Sequence, residues 1–449
     1  MPDAPAPAPG ALPLRATTLP ATADAVVIGA GIVGAAVAAR LSESGRTVCV
    51  IDRSGPLGGT SAAGEGNILV SDKLPGPELA LALRSKLLWH EFAARHGPGL
   101  EFEAKGGVVV AHDQAQLDAL GDLANRHRAA AVEVTALDPD GLRTAEPAIS
   151  PRLAGGAFYP EDCQVQPMRA VMAYLAEARS HGGTIVAPAA ALGAVTARTG
   201  AIAGVVTSAG VIATSLVINA AGPWSAEVAG ALGSALPVRP RRGRILVTEP
   251  LPPLVRHKVY EADYVAAVAS DADELTCSAV VESTASGAVL VGSSRDFAGF
   301  CDRVDMRVLA EIARRAVSLF PFLRRVRAIR AYGGFRPASP DHLPIIGPDA
   351  VVPGLYHATG HEGAGIGLAP ATAELLAALI DGQSPPVAPA PFAPGRAVIA
   401  GKGSPSPRAT AGGTASPRGC FPRRRQYRSP RRTQCRPVRG GPPRWPMTG

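Results

Sequence analysis

Cysteine is scarce in this sequence and shows no pairing pattern. The six residues, at positions 49, 163, 277, 301, 420 and 435, form no C-x-x-C pair and no Cys/His zinc spacing. That excludes a disulfide scaffold, a zinc module and an iron–sulfur ligand set, and it fits a reducing cytoplasm. Cys49 lies in an expected buried strand, as a small apolar core residue. Aromatic residues make up only 4% of the chain, so the core must be built mainly from Ala, Val, Leu and Ile. Acids are absent from one end: residues 402–449 hold 12 Lys/Arg, nine prolines and no Asp or Glu. Removing that segment from totals of 45 basic and 37 acidic residues leaves 33 against 37 over residues 1–401. The formal charge of +8 therefore belongs to the tail, and the rest of the chain has no bulk attraction to nucleic acid. A long apolar run is also missing. The most apolar stretch, Ala25 to Ala39, is too short to span a bilayer. Residues 1–23 are rich in Pro and Ala and lack the charged-then-apolar order of a signal peptide. These absences predict no transmembrane segment and a cytoplasmic protein, or one peripheral to the inner face of the membrane.

What is present is organised around Asp24 to Asp52. Ala25–Ile28 reads as a buried strand, glycines follow at 29, 31 and 34 as G-x-G-x-x-G, and an Ala/Val-rich helical run continues to about Ser44. A second strand, Thr47 to Ile51, ends at Asp52. Gly29 permits the tight turn, Gly31 lets backbone approach a pyrophosphate, and Gly34 lets helix and strand pack closely. The first helical N–H groups, at Ile32 and Val33, then face the phosphates. Asp52, with Arg53 beside it, is placed to accept from a ribose diol. A dinucleotide site is expected here.

Further along, GPLGGTSAAGEGN (55–67) carries five glycines in thirteen residues and offers Thr60, Ser61 and Asn67 as polar groups. Pro77 to His96 predicts an amphipathic helix with Leu79, Leu83, Leu87 and Leu88 on one face. A hairpin is expected over 193–208, with a strand at 210–221 that runs out into AGPWS. Strands are expected at 244–248, 264–269, 276–281 and 289–293, an antiparallel pattern. A second glycine-rich strand-to-helix turn occupies 354–370.

The fold class expected is α/β: a Rossmann-like dinucleotide-binding domain interrupted by an antiparallel-sheet α+β substrate domain, with disordered tails. The expected boundaries are a leader over 1–23, dinucleotide-binding segments over 24–99, 151–235 and 329–395, substrate-domain segments over 100–150 and 236–328, and an Arg/Pro-rich tail over 396–449.

VIGAGIVG (27–34), INAAGPWS (218–225), GGFRPASPDHLPIIG (333–347) and TGHEGAGIGLAP (359–370) occur in the order seen in the D-amino-acid-oxidase-like FAD-dependent oxidoreductases, and the chain resembles that family from residue 25 to about 395. GTSAAGEGN and GSSRDFAGF (292–300) make it similar to the flavin subunits of heteromeric amine dehydrogenases of the octopine/nopaline oxidase, hydrogen cyanide synthase and D-hydroxyproline dehydrogenase types. The resemblance implies FAD. Asp52 stands where the family usually has Glu on the adenosine ribose. Thr60, Ser61, Gly66 and Asn67 would lie along the flavin, Ala191 at the adenine end, and Ala221, Gly222 and Trp224 against the dinucleotide. Gly360, Glu362, Gly363, Gly365 and Ile366 would form the turn at the flavin pyrimidine, where a helix N-terminus favours negative charge on the ring. With no Cys in 58–67 or 336–368, and no His in the first of these, noncovalent FAD is expected.

Arg336 matches the family's substrate-carboxylate clamp, and a planar guanidinium suits that role; the alternative is an ordinary ion pair. His361 would contact flavin or substrate, or be a satisfied structural histidine. Tyr260, Tyr264 and Tyr332 are candidates for the pocket, or for plain packing. The implied reaction is hydride transfer from the Cα–H of an amino or imino acid to flavin, with electrons passing to partner subunits or a respiratory acceptor. One rival is an oxidase of the glycine/sarcosine type using oxygen. The other is a flavoprotein that binds nucleic acid or a partner through its Arg-rich tail.

Overall fold

The computed structural model describes residues 18–264 and 274–402, so most of the leader and of the basic tail lies outside the described residues. Ala25–Ile28 (β1), Ile32–Glu43 (α1) and Val48–Ile51 (β2) form the expected strand–helix–strand unit, and every residue of both strands is buried. β1 sits centrally in a six-stranded sheet. Its order is Ile345–Pro348, Leu355–Thr359, Val217–Asn219, β1, β2, Thr184–Val186, and all neighbours are parallel except the first pair. A parallel sheet buried on both faces needs apolar strands, and these comply. The hairpin of Ala191–Thr196 and Ile202–Thr207, with Gly210–Ala213, forms a separate three-stranded sheet.

Helices Pro167–Ser180 and Gly365–Asp381 flank α1. The second is also fixed by a sequence accident turned to use. Pro370 has no N–H, which frees the carbonyl of Ile366 from the helical ladder. Trp89 Nε1 donates to that oxygen at 3.2 Å and to Gly367 O at 3.1 Å, while Ser85 Oγ donates to Gly367 O at 2.5 Å. Helix Pro77–His96 is thereby rotated so that Leu79, Ala82, Ser85, Trp89 and Phe92 are buried. Leu87 of the expected apolar face is 51% exposed as a result.

The strand-rich middle of the chain makes an eight-stranded sheet ordered Ala328–Ala338, Arg239–Pro250, Ala288–Arg295, Thr276–Ser283, Lys258–Glu261, Gly107–Ala111, Gly155–Tyr159, Thr135–Leu137. Only the Lys258–Glu261 and Gly107–Ala111 pair runs parallel. Helix Met306–Leu319, Asp305-capped, lays Val308, Ile312, Ala316 and Leu319 on this sheet. One strand was not expected: Lys258–Glu261, whose charged ends hid it. One reading needs correction: Tyr264 is helical, not extended, and 265–269 lie outside the described residues. One helix, Glu362–Asp381, is long and apolar enough to cross a bilayer by composition, yet 67% of its most apolar window is buried in the protein.

Candidate active site

The two glycine turns meet across the six-stranded sheet. At the first, Gly29 takes φ +113°, and a Cβ there would fall 2.5 Å from Ala220 O. Only glycine fits. A Cβ on Gly34 would stand 1.9 Å from Gly29 O, so this residue sets how closely α1 approaches the turn. No side chain of α1's own N-cap, Gly31, caps the helix; instead the Ile32 N–H donates to Ser61 Oγ at 3.0 Å, tying the 55–67 loop to the helix start. Asp52 braces the same turn. Its Oδ2 accepts from Ala30 N–H at 2.9 Å, and its Oδ1 accepts from Ser54 and Gly55 N–H, each at 2.9 Å. The Asp52 carbonyl accepts from Ala189 N–H at 2.7 Å, which brings the 189–191 backbone alongside. Arg53 lies 3.9 Å above the Trp224 ring, and Trp224 stacks on Phe300 with centroids 5.2 Å apart.

At the second turn Gly360 takes φ +77°. Ser225 Oγ and Thr359 Oγ1 are 2.7 Å apart, and Thr359 Oγ1 donates to Gly222 O at 3.2 Å, which joins the AGPWS segment to this turn. Helix Gly365–Asp381 then starts with no side-chain cap, leaving its first N–H groups available.

A cavity of about 400 Å³ runs between the turns. Of the residues expected at a cofactor, Gly29, Gly31, Ile32, Val33, Asp52, Arg53, Thr60, Ser61, Asn67, Ala191, Ala221, Gly222, Trp224, Glu362, Gly363, Gly365 and Ile366 line it. Gly34, Gly66 and Gly360 do not; Gly34 packs helix on strand, and a Cβ on Gly66 would meet Val165 O at 2.0 Å. Arg336, His361 and Tyr264 also line the cavity, whereas Tyr260 and Tyr332 do not. Tyr260 is fully buried with its hydroxyl against Ser71 Oγ, and Tyr332 donates weakly to Gly64 O at 3.5 Å.

Arg336 projects from the long strand Ala328–Ala338, and Gly243 on the paired strand leaves room for it: a Cβ there would fall 2.4 Å from its Nη1. Its Nη1 donates to Ser294 O at 2.9 Å. Among the described residues no carboxylate pairs with it, and burial, then the neighbouring Arg295, lower its pKa to about 10. Glu362 is committed elsewhere. It accepts from Arg241 Nη1 at 2.7 Å and from His342 Nδ1 at 3.2 Å, and despite burial these partners hold its pKa down to about 2. His361 shares a hydrogen bond with Thr372 Oγ1 at 2.9 Å, and burial drops its pKa to about 3. It is neutral at physiological pH.

The sequence reading passed over several lining residues: Ala63, Gly64, Glu65, Gly243, Ile245 and Gly334. Glu65 had a signal, an acid inside an otherwise small and uncharged loop. The others are small or apolar and carry none.

A strand–turn–helix with a terminal acid, a second uncapped helix start and a shared elongated lining suit a dinucleotide with a ring system at one end. Among the described residues there is no group of three His, Cys, Asp or Glu to hold a metal. The fold and the cavity are those of a flavoprotein oxidoreductase. Residues 24–379 match the family model described as FAD dependent oxidoreductase, and the chain belongs to that family. It is 30% identical to the hydrogen cyanide synthase subunit HcnC of Pseudomonas aeruginosa over 87% of this chain and 98% of that one. Against glycine oxidase of Geobacillus kaustophilus the identity is 25% over 82% of this chain and 96% of the other. The crystal structure of that enzyme superposes with a TM-score of 0.75 over 83% of this chain and 98% of its own, at 24% identity. L-proline dehydrogenase from P. horikoshii gives 0.76 over 84% and 98%, at 22% identity.

Proposed function

We propose that this protein oxidises the C–N bond of a small amino or imino acid. When bound, FAD supplies the hydride acceptor, and the chain supplies position and electrostatics. The observation that carries the reading is Arg336: a half-buried guanidinium on the cavity wall with no protein carboxylate for a partner among the described residues. A substrate carboxylate satisfies it, and bidentate contact fixes the α-carbon. The Gly29 turn, Ser61, Asp52, Ala191 and Trp224 would hold the dinucleotide, and the helix start at Gly365 would face the flavin ring. Among the described residues no cysteine lines the cavity, which supports noncovalent attachment. HcnC is by name a subunit and glycine oxidase an oxidase, so relatives support both electron transfer to a partner and direct use of oxygen. We favour the partner or respiratory route because HcnC is the more similar of these two full-length matches, 30% identical against 25%. We also propose the two large sheets as the cores of the dinucleotide-binding and substrate domains, and a cytoplasmic location.

The test is anaerobic bleaching of the flavin band at about 450 nm, the absorbance of the family's cofactor, across D- and L-amino acids, glycine, hydroxyprolines and opines. Bleaching by none of them would refute the reading. Oxygen consumption by the purified chain separates oxidase from dehydrogenase. Deleting 402–449 should leave flavin and bleaching intact.

A further inference from the structure

One buried charge cluster lies beside the cavity, joined to it through Glu65 and Asn67. Lys258, 1% exposed on strand Lys258–Glu261, places Nζ 2.8 Å from Glu282 Oε2 and 3.4 Å from Glu65 Oε2, and it donates to Asn67 Oδ1. Asn67 Nδ2 in turn donates to Glu65 Oε2 at 3.2 Å. Two carboxylates thus share one ammonium. Glu65 is the member of the pair that lines the cavity, and it is 8% exposed. Its Oε1 rests against Gly292, where a Cβ would stand 2.1 Å away, and has no hydrogen-bond partner. An unpartnered buried carboxylate oxygen is costly unless a ligand satisfies it; Glu282 Oε1 is unpartnered too, but of the two acids only Glu65 lines the cavity. On the same cavity lies Arg336, a cation without a carboxylate, whose charge Glu65 feels. A cavity with a guanidinium that has no carboxylate among the described residues and a carboxylate whose ammonium is shared with a second acid fits a zwitterion.

We propose that Glu65 holds the substrate's amino group opposite Arg336 and takes its proton. This rests on the function proposed above and adds the second anchor. The proton moves from R–NH3+ to the Glu65 carboxylate, giving R–NH2 and a carboxylic acid. The nitrogen lone pair then forms the C=N bond as the Cα–H bond breaks, its electron pair leaving as hydride to the oxidised flavin. Lys258, itself bonded to Glu282, and Asn67 hold Glu65 in place; Tyr332 and Arg336 face it from the strand Ala328–Ala338, and Tyr264 lies nearby on the cavity wall.

The experiment uses the flavin-loaded full chain and the amino acid that bleaches it fastest. In the native protein the apparent second-order rate of flavin reduction should fall on the acid side with a break set by the enzyme. That break should be the same for two substrates whose amine pKa values differ; a break that follows the substrate amine overturns the proposal without any variant. Glu65→Gln should lower reduction at pH 7 by about 100-fold or more, the usual worth of a general base, and Glu65→Asp should restore part of it. A second readout needs no turnover. The α-hydrogen-free 2-aminoisobutyrate should bind the native protein at least tenfold tighter than 2-methylpropanoate, and Glu65→Gln should remove the difference while leaving 2-methylpropanoate unchanged. An equal preference in native and variant overturns the assignment. If no amino or imino acid bleaches the native flavin, the proposed function fails; if the native protein is reduced and the Glu65→Gln profile is unchanged, Glu65 alone fails.

Discussion

Replacing Arg336 with Met should move activity and stability in opposite directions. The guanidinium is anchored on one side by Ser294 O at 2.9 Å and has no carboxylate within ion-pair distance among the described residues. Losing a charge-assisted, bidentate contact to a buried carboxylate costs about 2–5 kcal/mol, and each 1.36 kcal/mol is tenfold, so kcat/KM should fall by about 1.5 to 3.7 orders of magnitude. Stability follows the reverse logic. Arg336 has a folded pKa of about 10 against 12.5 for an ordinary arginine, so the unfolded chain holds this proton more tightly than the folded one. At neutral pH the charge therefore opposes folding, by an amount that fades only as pH rises past about 10. Methionine, flexible and apolar, fills comparable space without that cost. The Tm of the substrate-free protein should rise by about one degree, the shift expected for about 1 kcal/mol in a chain of this size. Steady-state kinetics on the best substrate and a thermal melt without substrate decide the matter. A lower Tm with unchanged kcat/KM would mean that Arg336 is a structural ion-pair residue and that the clamp reasoning is wrong.

Three further outcomes are expected. Gly243→Ala would put a Cβ 2.4–2.7 Å from the Arg336 guanidinium, the movable end of a side chain, so the protein should fold and keep its flavin while KM rises about tenfold; an unchanged KM would argue against the clamp geometry. Burial raises the pKa of both Asp162 and Glu282 to about 7, so the stability they contribute is full below their unfolded values near 4 and is lost as pH climbs through 7. Melts between pH 5 and 8 should show Tm falling with pH, and Asp162→Asn, whose amide oxygen can still accept from Val70 N–H, should flatten the slope. His361, held neutral with a pKa of about 3 and bonded to Thr372, should impose no break on the pH–rate profile between 5 and 9. A His361→Gln variant that removes such a break would make it a titrating participant.

The two glycine turns were legible because their chemistry is local: G-x-G-x-x-G between a buried strand and a helix constrains backbone within six residues, and the strand, turn and helix all appear where the residues place them. The strand Lys258–Glu261 was not legible. Its ends are charged because they turn toward partners contributed by other parts of the chain, the buried Glu65 and Glu282 for Lys258 and the half-exposed His112 and Arg315 for Glu261. The same reason hid Glu65. Within its loop it reads as a solvated acid; only the sheet brings Lys258 and Gly292 to it and leaves one oxygen unmatched. The reading of Asp52 as a ribose acceptor illustrates the opposite limit. Its two oxygens already accept three backbone N–H groups, so its first contribution is to the shape of the turn, and any ribose contact must use the lone pairs that remain. Local motifs therefore locate the cavity, while the charges that select its occupant come from side chains that meet only when the eight-stranded sheet closes over the 55–67 loop.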